Sequence, residues 1–477
     1  MRRTPDRKAS KSLRRSEPPL AAVILAAGEG TRMRSRRAKV LHEAAGRPLV
    51  EHVLRAARGA GTDPVVVVVG VQADEVREKL GPGPRYVIQT ERRGTADAVR
   101  RAGAALRGFG GDVLILCGDV PALPAAALRG LVRRHRSRKA ALTVLTAVLD
   151  DPSGYGRILR GPDGAIRAIV EERDAGPAER AVSEINTGTY CARWPELRRV
   201  LRRITPDNAQ GEFYLTDAVR ILIDGGARVE AVVHEPAREA LGVNSRAHLA
   251  EAHRILNERV LARLMRNGVT ILDPATTWVH DTVRVGRDTV IHPGVALEGA
   301  TRVGTDCVIR SGCRLTDVVV ESGVELLEHT VAAESRIGAG SRVGPFAHLR
   351  PGSVIGRGCR VGNFVETKKA SLGDGSKASH LSYLGDARIG REVNIGAGTI
   401  TCNYDGVRKH RTELADRVFV GSDTQFVAPV RVGEGAYVAA GSTVTEDVPP
   451  RALAIARSRQ RNIPGWVDRR RNEPEKR

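Results

Sequence analysis

The sequence predicts two folds in tandem: an α/β unit with a mostly parallel sheet over residues 20–245, and a parallel β-helix of six-residue repeats over residues 269–456. Three observations carry this. Short apolar runs alternate with amphipathic stretches in the first half. Aliphatic residues recur every six positions in the second. The chain holds 51 glycines but only 3% aromatics, so its cores are aliphatic and its backbone turns often.

Ala22–Ala27, Val65–Val69, Val113–Cys117 and Leu142–Val148 read as buried strands, and Val50–Ala57 and Ala96–Leu106 as helices between them. Asn244–Ser245 can cap a connecting helix over 246–268, in which Leu249, Ala252, Leu256, Val260 and Leu264 recur at three- and four-residue steps until Gly268 stops it. The period then changes. Val285, Ile291, Leu297, Val303, Ile309 and Leu315 are six apart, as are Val331, Ile337, Val343, Leu349, Ile355 and Val361, and then Val420, Phe426, Val432, Val438 and Val444. Six fits neither a helix nor a strand alternation, but it fits a coil of short strands joined by tight corners. Two stretches, Thr367–Arg388 and Thr401–Arg417, break the register and are expected to be loops on a binding face.

A length of 477 residues exceeds one domain about threefold. No apolar run reaches the roughly 18 residues that would span a bilayer, so the expectation is a soluble cytoplasmic protein with no membrane partner. The formal charge of +21 raises a nucleic-acid reading. About half of it sits at the ends, however: residues 1–19 hold seven Lys/Arg and two acids, and residues 457–477 hold eight and three. Both ends read as disordered basic tails, and no nucleic-acid partner is expected. Six cysteines without a CxxC pair are expected to be free thiols.

The first strand ends in Leu25-Ala26-Ala27-Gly28-Glu29-Gly30-Thr31-Arg32-Met33, with Lys39 beyond. Small residues at a strand's carboxyl end let backbone N–H groups approach phosphates, and Arg32 and Lys39 can neutralise charge there. This loop, with the Lys-Val-Leu-His that follows, resembles that of the sugar-1-phosphate nucleotidyltransferases. With the β-helix it resembles, from about Pro19 to Trp466, the bacterial bifunctional enzymes that join an N-acetylglucosamine-1-phosphate uridyltransferase to a glucosamine-1-phosphate N-acetyltransferase. The resemblance implies synthesis of UDP-N-acetylglucosamine, a precursor of peptidoglycan and lipopolysaccharide, by a homotrimer packed through its β-helices, which are left-handed.

For uridylyl transfer, the resemblance implies that Leu25, Ala26, Ala27, Gly28, Lys39, Gln89, Gly94 and Thr95 bind UTP. It assigns the sugar phosphate to Gly156, Glu171, Asn186 and Asn244, with Tyr155 and Arg157 beside Gly156, and Mg²⁺ to Asp119 and Asn244. Arg32 and Lys39 would be catalytic. For acetyl transfer, it implies His380 as general base, and Arg350, Lys368, Tyr383 and Asn394 on the sugar phosphate. Acetyl-coenzyme A would meet Ala397, Asn403, Tyr404, Ser422, Ala440 and Arg457. No Cys–His dyad is evident near this site, so direct transfer is expected. The chain departs from the family pattern at Glu29, Ala38 and Cys117, where a basic residue, Pro and Tyr are usual; Glu29 would place a negative charge beside the triphosphate. The competing reading is a non-catalytic regulatory or assembly subunit of the same architecture.

Overall fold

The computed structural model describes residues 17–28 and 30–471. The chain divides into two compact units between Leu256 and Asn257, inside the helix Arg246–Arg266 rather than at either end of it.

The first unit is built on a nine-stranded sheet: β1 (Leu20–Ala26), β2 (Val65–Val69), β3 (Arg85–Ile88), β4 (Asp112–Cys117), β5 (Leu142–Val148), β6 (Arg157–Arg160), β7 (Ile166–Val170), β8 (Glu184–Arg193) and β9 (Val229–Val233). The main path runs β9-β5-β8-β4-β1-β2-β3, with the β6–β7 hairpin attached to β8. β1 is parallel to β2 and β4 on its two sides, and only β8 runs antiparallel within the main path. Ala21 and Val23 enter one core and Ala22 and Ile24 the other, because successive side chains leave a strand on opposite faces. A sheet covered on both faces needs strands as continuously apolar as the Val65–Val69 run. The carboxyl ends of β1 and β4 lie side by side, with Leu25 opposite Cys117. The loops leaving these ends carry the first site.

Ser245, not Asn244, caps the helix Arg246–Arg266: Ser245 Oγ accepts the His248 N–H at 3.2 Å. That leaves the Asn244 side chain to other work. Gly268, at φ +89°, closes the helix while Val269 N–H reaches back to Leu264 O at 3.1 Å.

The second unit is a left-handed parallel β-helix whose three faces are sheets of 11, 10 and 9 strands, all pairs parallel. Ile291, Leu297, Ile309, Leu315, Val343, Leu349, Val420 and Phe426 are fully buried along its axis. Pairing of Val290 with Val308 gives 18 residues per coil, three rungs of six. The next pairing, Val308 with Glu325, gives 17, so one rung has shortened to five.

Two expectations are corrected by these short rungs. Val331 is 40% exposed and the inward residue is Ala332, five before Ile337. Thr367–Arg388 is not a loop: strands continue through it, with Thr367, Leu372, Ala378, Leu384 and Ile389 inside. A Thr and an Ala at inward positions, plus two five-residue steps, conceal the repeat. The second break is a real insertion, since Asn394 pairs with Phe419 in a coil of 25 residues. It folds back on itself through a bridge between Tyr404 and Lys409.

Parts of both expected tails are among the described residues. Arg136 donates to Glu17 Oε2 and to Pro18 O, both at 2.6 Å, and Trp466–Arg471 form a short exposed helix. Residues 1–16 and 472–477, and Glu29, lie outside the described residues. Among the described residues no helix is long and apolar enough to cross a membrane, and the six cysteines are free thiols.

Candidate active sites

Lys39, Asp119 and Asn244, far apart in sequence, meet at the carboxyl end of the sheet. Lys39 Nζ donates to Asp119 Oδ2 and, at 3.0 Å, to Asn244 Oδ1. Val243 N–H donates to Asp119 O at 2.8 Å, which ties the two loops together. Lys39 and Asp119 keep only 13% and 17% of their side-chain surface. The oxygens therefore already face one cation, the Lys39 ammonium. A carboxylate and an amide oxygen are hard donors, and two such donors suit a divalent ion that takes its other oxygens from phosphates and water. The residues present fit the expected metal.

One cavity joins Leu25, Ala27, Gly28, Lys39, Gln89, Arg92, Gly94, Thr95, Cys117 and Asp119. A second, over Ala26, Ala27, Gly28 and Arg92, adjoins it. Gln89 donates its amide N–H groups to Gly94 O at 3.2 Å and Asp97 Oδ2 at 2.9 Å. Burial foremost, and then the Asp119 charge, push the Cys117 thiol up to about 12, so it is no nucleophile.

Three of the four expected sugar residues, Gly156, Glu171 and Asn186, also converge. Asn186 N–H donates to Gly156 O at 2.8 Å, and its side-chain N–H to the Tyr190 hydroxyl at 2.8 Å. A Cβ on Gly156 would come within 3.3 Å of Glu171 Oε2, so glycine lets the chain pass this carboxylate. Burial raises the Glu171 carboxyl above its usual range, against a hydrogen bond from Thr216 and with help from Asp174, Asp217 and Glu212.

In the β-helix, backbone bonds from Leu381 N to Asn363 O, Asp423 N to Ala397 O and Gly441 N to Ser422 O align Asn363, His380, Ala397, Ser422 and Ala440 down one corner. Arg457 follows them, its Cδ 3.8 Å from where a Gly441 Cβ would lie. His380 Nδ1 lies 3.0 Å from Asn363 Oδ1. An amide oxygen only accepts, so the ring carries its proton on Nδ1 and offers Nε2 as the base. On the adjoining face Arg350 and Lys368 are stacked, Leu349 pairing with Thr367. Lys409 beside it, and then the Arg350 charge, hold the Lys368 ammonium below its usual range. Crowded cations of this kind suit a phosphate.

Residues 22–211 match the MobA-like NTP transferase domain model, and residues 275–368 the GMPPB C-terminal domain model. A curated "Bifunctional protein GlmU" of Trichlorobacter lovleyi is 52% identical over 454 residues, covering 95% of this chain and 99% of that protein. Proteins of the same name from Pelobacter propionicus, 52% identical over 94% of this chain and 98% of that protein, and Geobacillus sp., 48% identical over 94% and 97%, match as fully. This chain belongs to the GlmU family.

Three residues expected for a GlmU chain stand differently. Arg157 is buried and ion-paired with Glu172 at 2.8 Å, so it supports the hairpin instead of facing a sugar. Asn394, paired with Lys377, lies on a different face from Arg350 and Lys368. Arg32 is exposed on the short turn Thr31–Met33, outside the cavity that Lys39 lines. Sequence reasoning missed Asn363, Asp97 and Lys409. Lys409 lies in the second break and was open to notice. Asn363 and Asp97 announce themselves only through their contacts.

Proposed function

We propose that the GlmU-family activity is divided between the two units as their side chains suggest: acetyl transfer at the His380 corner and uridylyl transfer at the Lys39–Asp119–Asn244 cluster. The enzyme makes UDP-N-acetylglucosamine for cell-wall synthesis, first acetylating glucosamine 1-phosphate and then transferring a uridylyl group to the product. Relatives named as bifunctional over nearly their whole length give no support to the non-catalytic alternative.

At the first site Arg350, Lys368 and Lys409 hold the sugar phosphate. The sugar amine attacks the thioester carbonyl carbon, His380 Nε2 takes the amine proton as the C–N bond forms, and the C–S bond breaks to release coenzyme A. The small residues Ala397, Ser422 and Ala440 leave the corner open for the pantetheine arm, and Arg457 meets its phosphates. Asn403 is held by its side-chain bond to Asp386 Oδ2 at 2.6 Å. Asn394 stands on the face that carries His380, and Arg350 and Lys368 on another. The resemblance to the bifunctional enzymes supports a homotrimer packed through its β-helices.

At the second site a phosphate oxygen of N-acetylglucosamine 1-phosphate attacks the α-phosphorus of UTP, and pyrophosphate leaves as the bond to the β-phosphate oxygen breaks. Lys39 neutralises charge developing on the phosphates, and Arg32 reaches them from its exposed turn. Leu25–Gly28 supply backbone beside the nucleotide, Gln89, Gly94 and Thr95 meet the base, and Gly156, Glu171 and Asn186 meet the sugar. Asp119 and Asn244 would hold Mg²⁺, which supplies charge neutralisation on the triphosphate. A cytoplasmic location follows the soluble substrates. The observation that carries the reading is the meeting of Lys39 with Asp119 and Asn244, of which Lys39 and Asp119 line the same cavity as Gln89 and Gly94. It is tested by uridylyl transfer in Asp119→Ala, which should be lost while acetyl transfer persists.

A further inference from the structure

The Gln89 amide is fixed in one sense. Its NH₂ group faces two oxygens, Gly94 O at 3.2 Å and Asp97 Oδ2 at 2.9 Å. Turning the amide over would set its own oxygen against both, with no hydrogen between them. Both donors are thus spent inside the protein, and what remains for a ligand is Oε1, an acceptor.

Asp97 enforces this. It is buried, and Arg101 Nε donates to the same Oδ2 at 2.9 Å. Burial pushes the Asp97 carboxyl up, but the hydrogen bonds from Arg101 and Gln89 and the charges of Arg101 and Arg100 outweigh it and leave the group below the usual range. An ionised carboxylate only accepts, so it can hold Gln89 only by its NH₂ group.

We propose that Asp97 is a positioning residue for base selection: by holding the Gln89 amide it makes the site present an acceptor to the nucleobase, favouring a pyrimidine that donates an N–H at N3. Uracil has that N–H; cytosine has a lone pair there. The inference rests on the reading that Gln89 contacts the base. Asp97 bonds to Gln89 and Arg101 and to none of Lys39, Asp119 and Asn244, so the reaction itself does not require it.

The test uses the full chain with N-acetylglucosamine 1-phosphate, Mg²⁺ and either UTP or CTP, comparing kcat and KM of the wild type with Asp97→Asn, Asp97→Ser and Gln89→Ala. The amide introduced by Asp97→Asn can accept or donate, so of the two fixed acceptors only Gly94 O still holds the Gln89 NH₂ group and the amide turns more readily. The UTP:CTP ratio of kcat/KM should then fall about tenfold, through a raised KM for UTP with kcat held within about threefold. Asp97→Ser removes the anionic acceptor differently and carries the test should Asp97→Asn not fold. A merely structural role would depress both nucleotides alike and keep the ratio. A ratio kept in both Asp97 variants but lost in Gln89→Ala overturns the role of Asp97 and leaves Gln89 as the base reader. A ratio kept in all three overturns the reading of Gln89 and the proposal with it.

Discussion

Lys39 Nζ and Asn244 Oδ1 lie 3.0 Å apart although 205 residues separate them in the chain. The contact exists because Ser245 takes the helix-capping role that Asn244 could have filled. The ammonium stands against both expected metal ligands, so it marks where positive charge is wanted. Replacing it with an uncharged side chain of similar length, in Lys39→Met, should lower kcat/KM for uridylyl transfer by about 10²–10³, the range for loss of one charge-stabilising group. Steady-state kinetics of both half-reactions check this, and acetyl transfer should be unchanged.

Asn363 should matter through His380. With Asn363→Ala the imidazole loses the acceptor that sets its tautomer. Acetyl transfer should fall about tenfold in kcat, with an altered pH profile, against the 10²–10⁴ expected for loss of the base itself in His380→Ala. Substrate KM should change little, which separates a misaligned base from a damaged binding site.

Glu171 carries a pH prediction. Its folded carboxyl titrates above the ordinary 4.5 because burial dominates. The folded state therefore binds this proton more tightly than the unfolded state does. Stability from this group is present below pH 4.5 and declines as pH rises through the raised folded value. Glu171→Gln should raise the melting temperature at pH 7 and lose that advantage below pH 4.5, while KM for N-acetylglucosamine 1-phosphate rises about tenfold. Melting curves at the two pH values, with the KM measurement, check both halves.

Phe426 is a large, fully buried side chain in the β-helix core. Phe426→Ala should cost about 3–5 kcal/mol, because the stacked coils above and below cannot collapse into the space. Urea unfolding followed by circular dichroism measures it.

The aliphatic repeat was legible where rungs stayed at six residues and small polar residues stayed out of the core. It failed where Ala332, Thr367 and Ala378 took inward positions and rungs shortened to five, since a one-residue deletion shifts every later position. The N-terminal strands were legible from runs such as Val65–Val69, because a doubly covered strand must be apolar throughout. Of the residues the sequence singled out, the structure brings Lys39, Asp119 and Asn244 together and sets His380 on one corner with Ala397, Ser422 and Ala440. The buried role of Arg157, the separate face of Asn394 and the spent donors of Gln89 were not legible, because each depends on which neighbour the side chain finds and not on residue type.

The most direct test follows glucosamine 1-phosphate, acetyl-coenzyme A, UTP and Mg²⁺ to products by mass spectrometry, in the wild type, His380→Ala and Asp119→Ala. The wild type should yield UDP-N-acetylglucosamine, coenzyme A and pyrophosphate. His380→Ala should require N-acetylglucosamine 1-phosphate to make the nucleotide sugar, and Asp119→Ala should stop at N-acetylglucosamine 1-phosphate. Equal loss of both steps in either folded variant would contradict two separate sites.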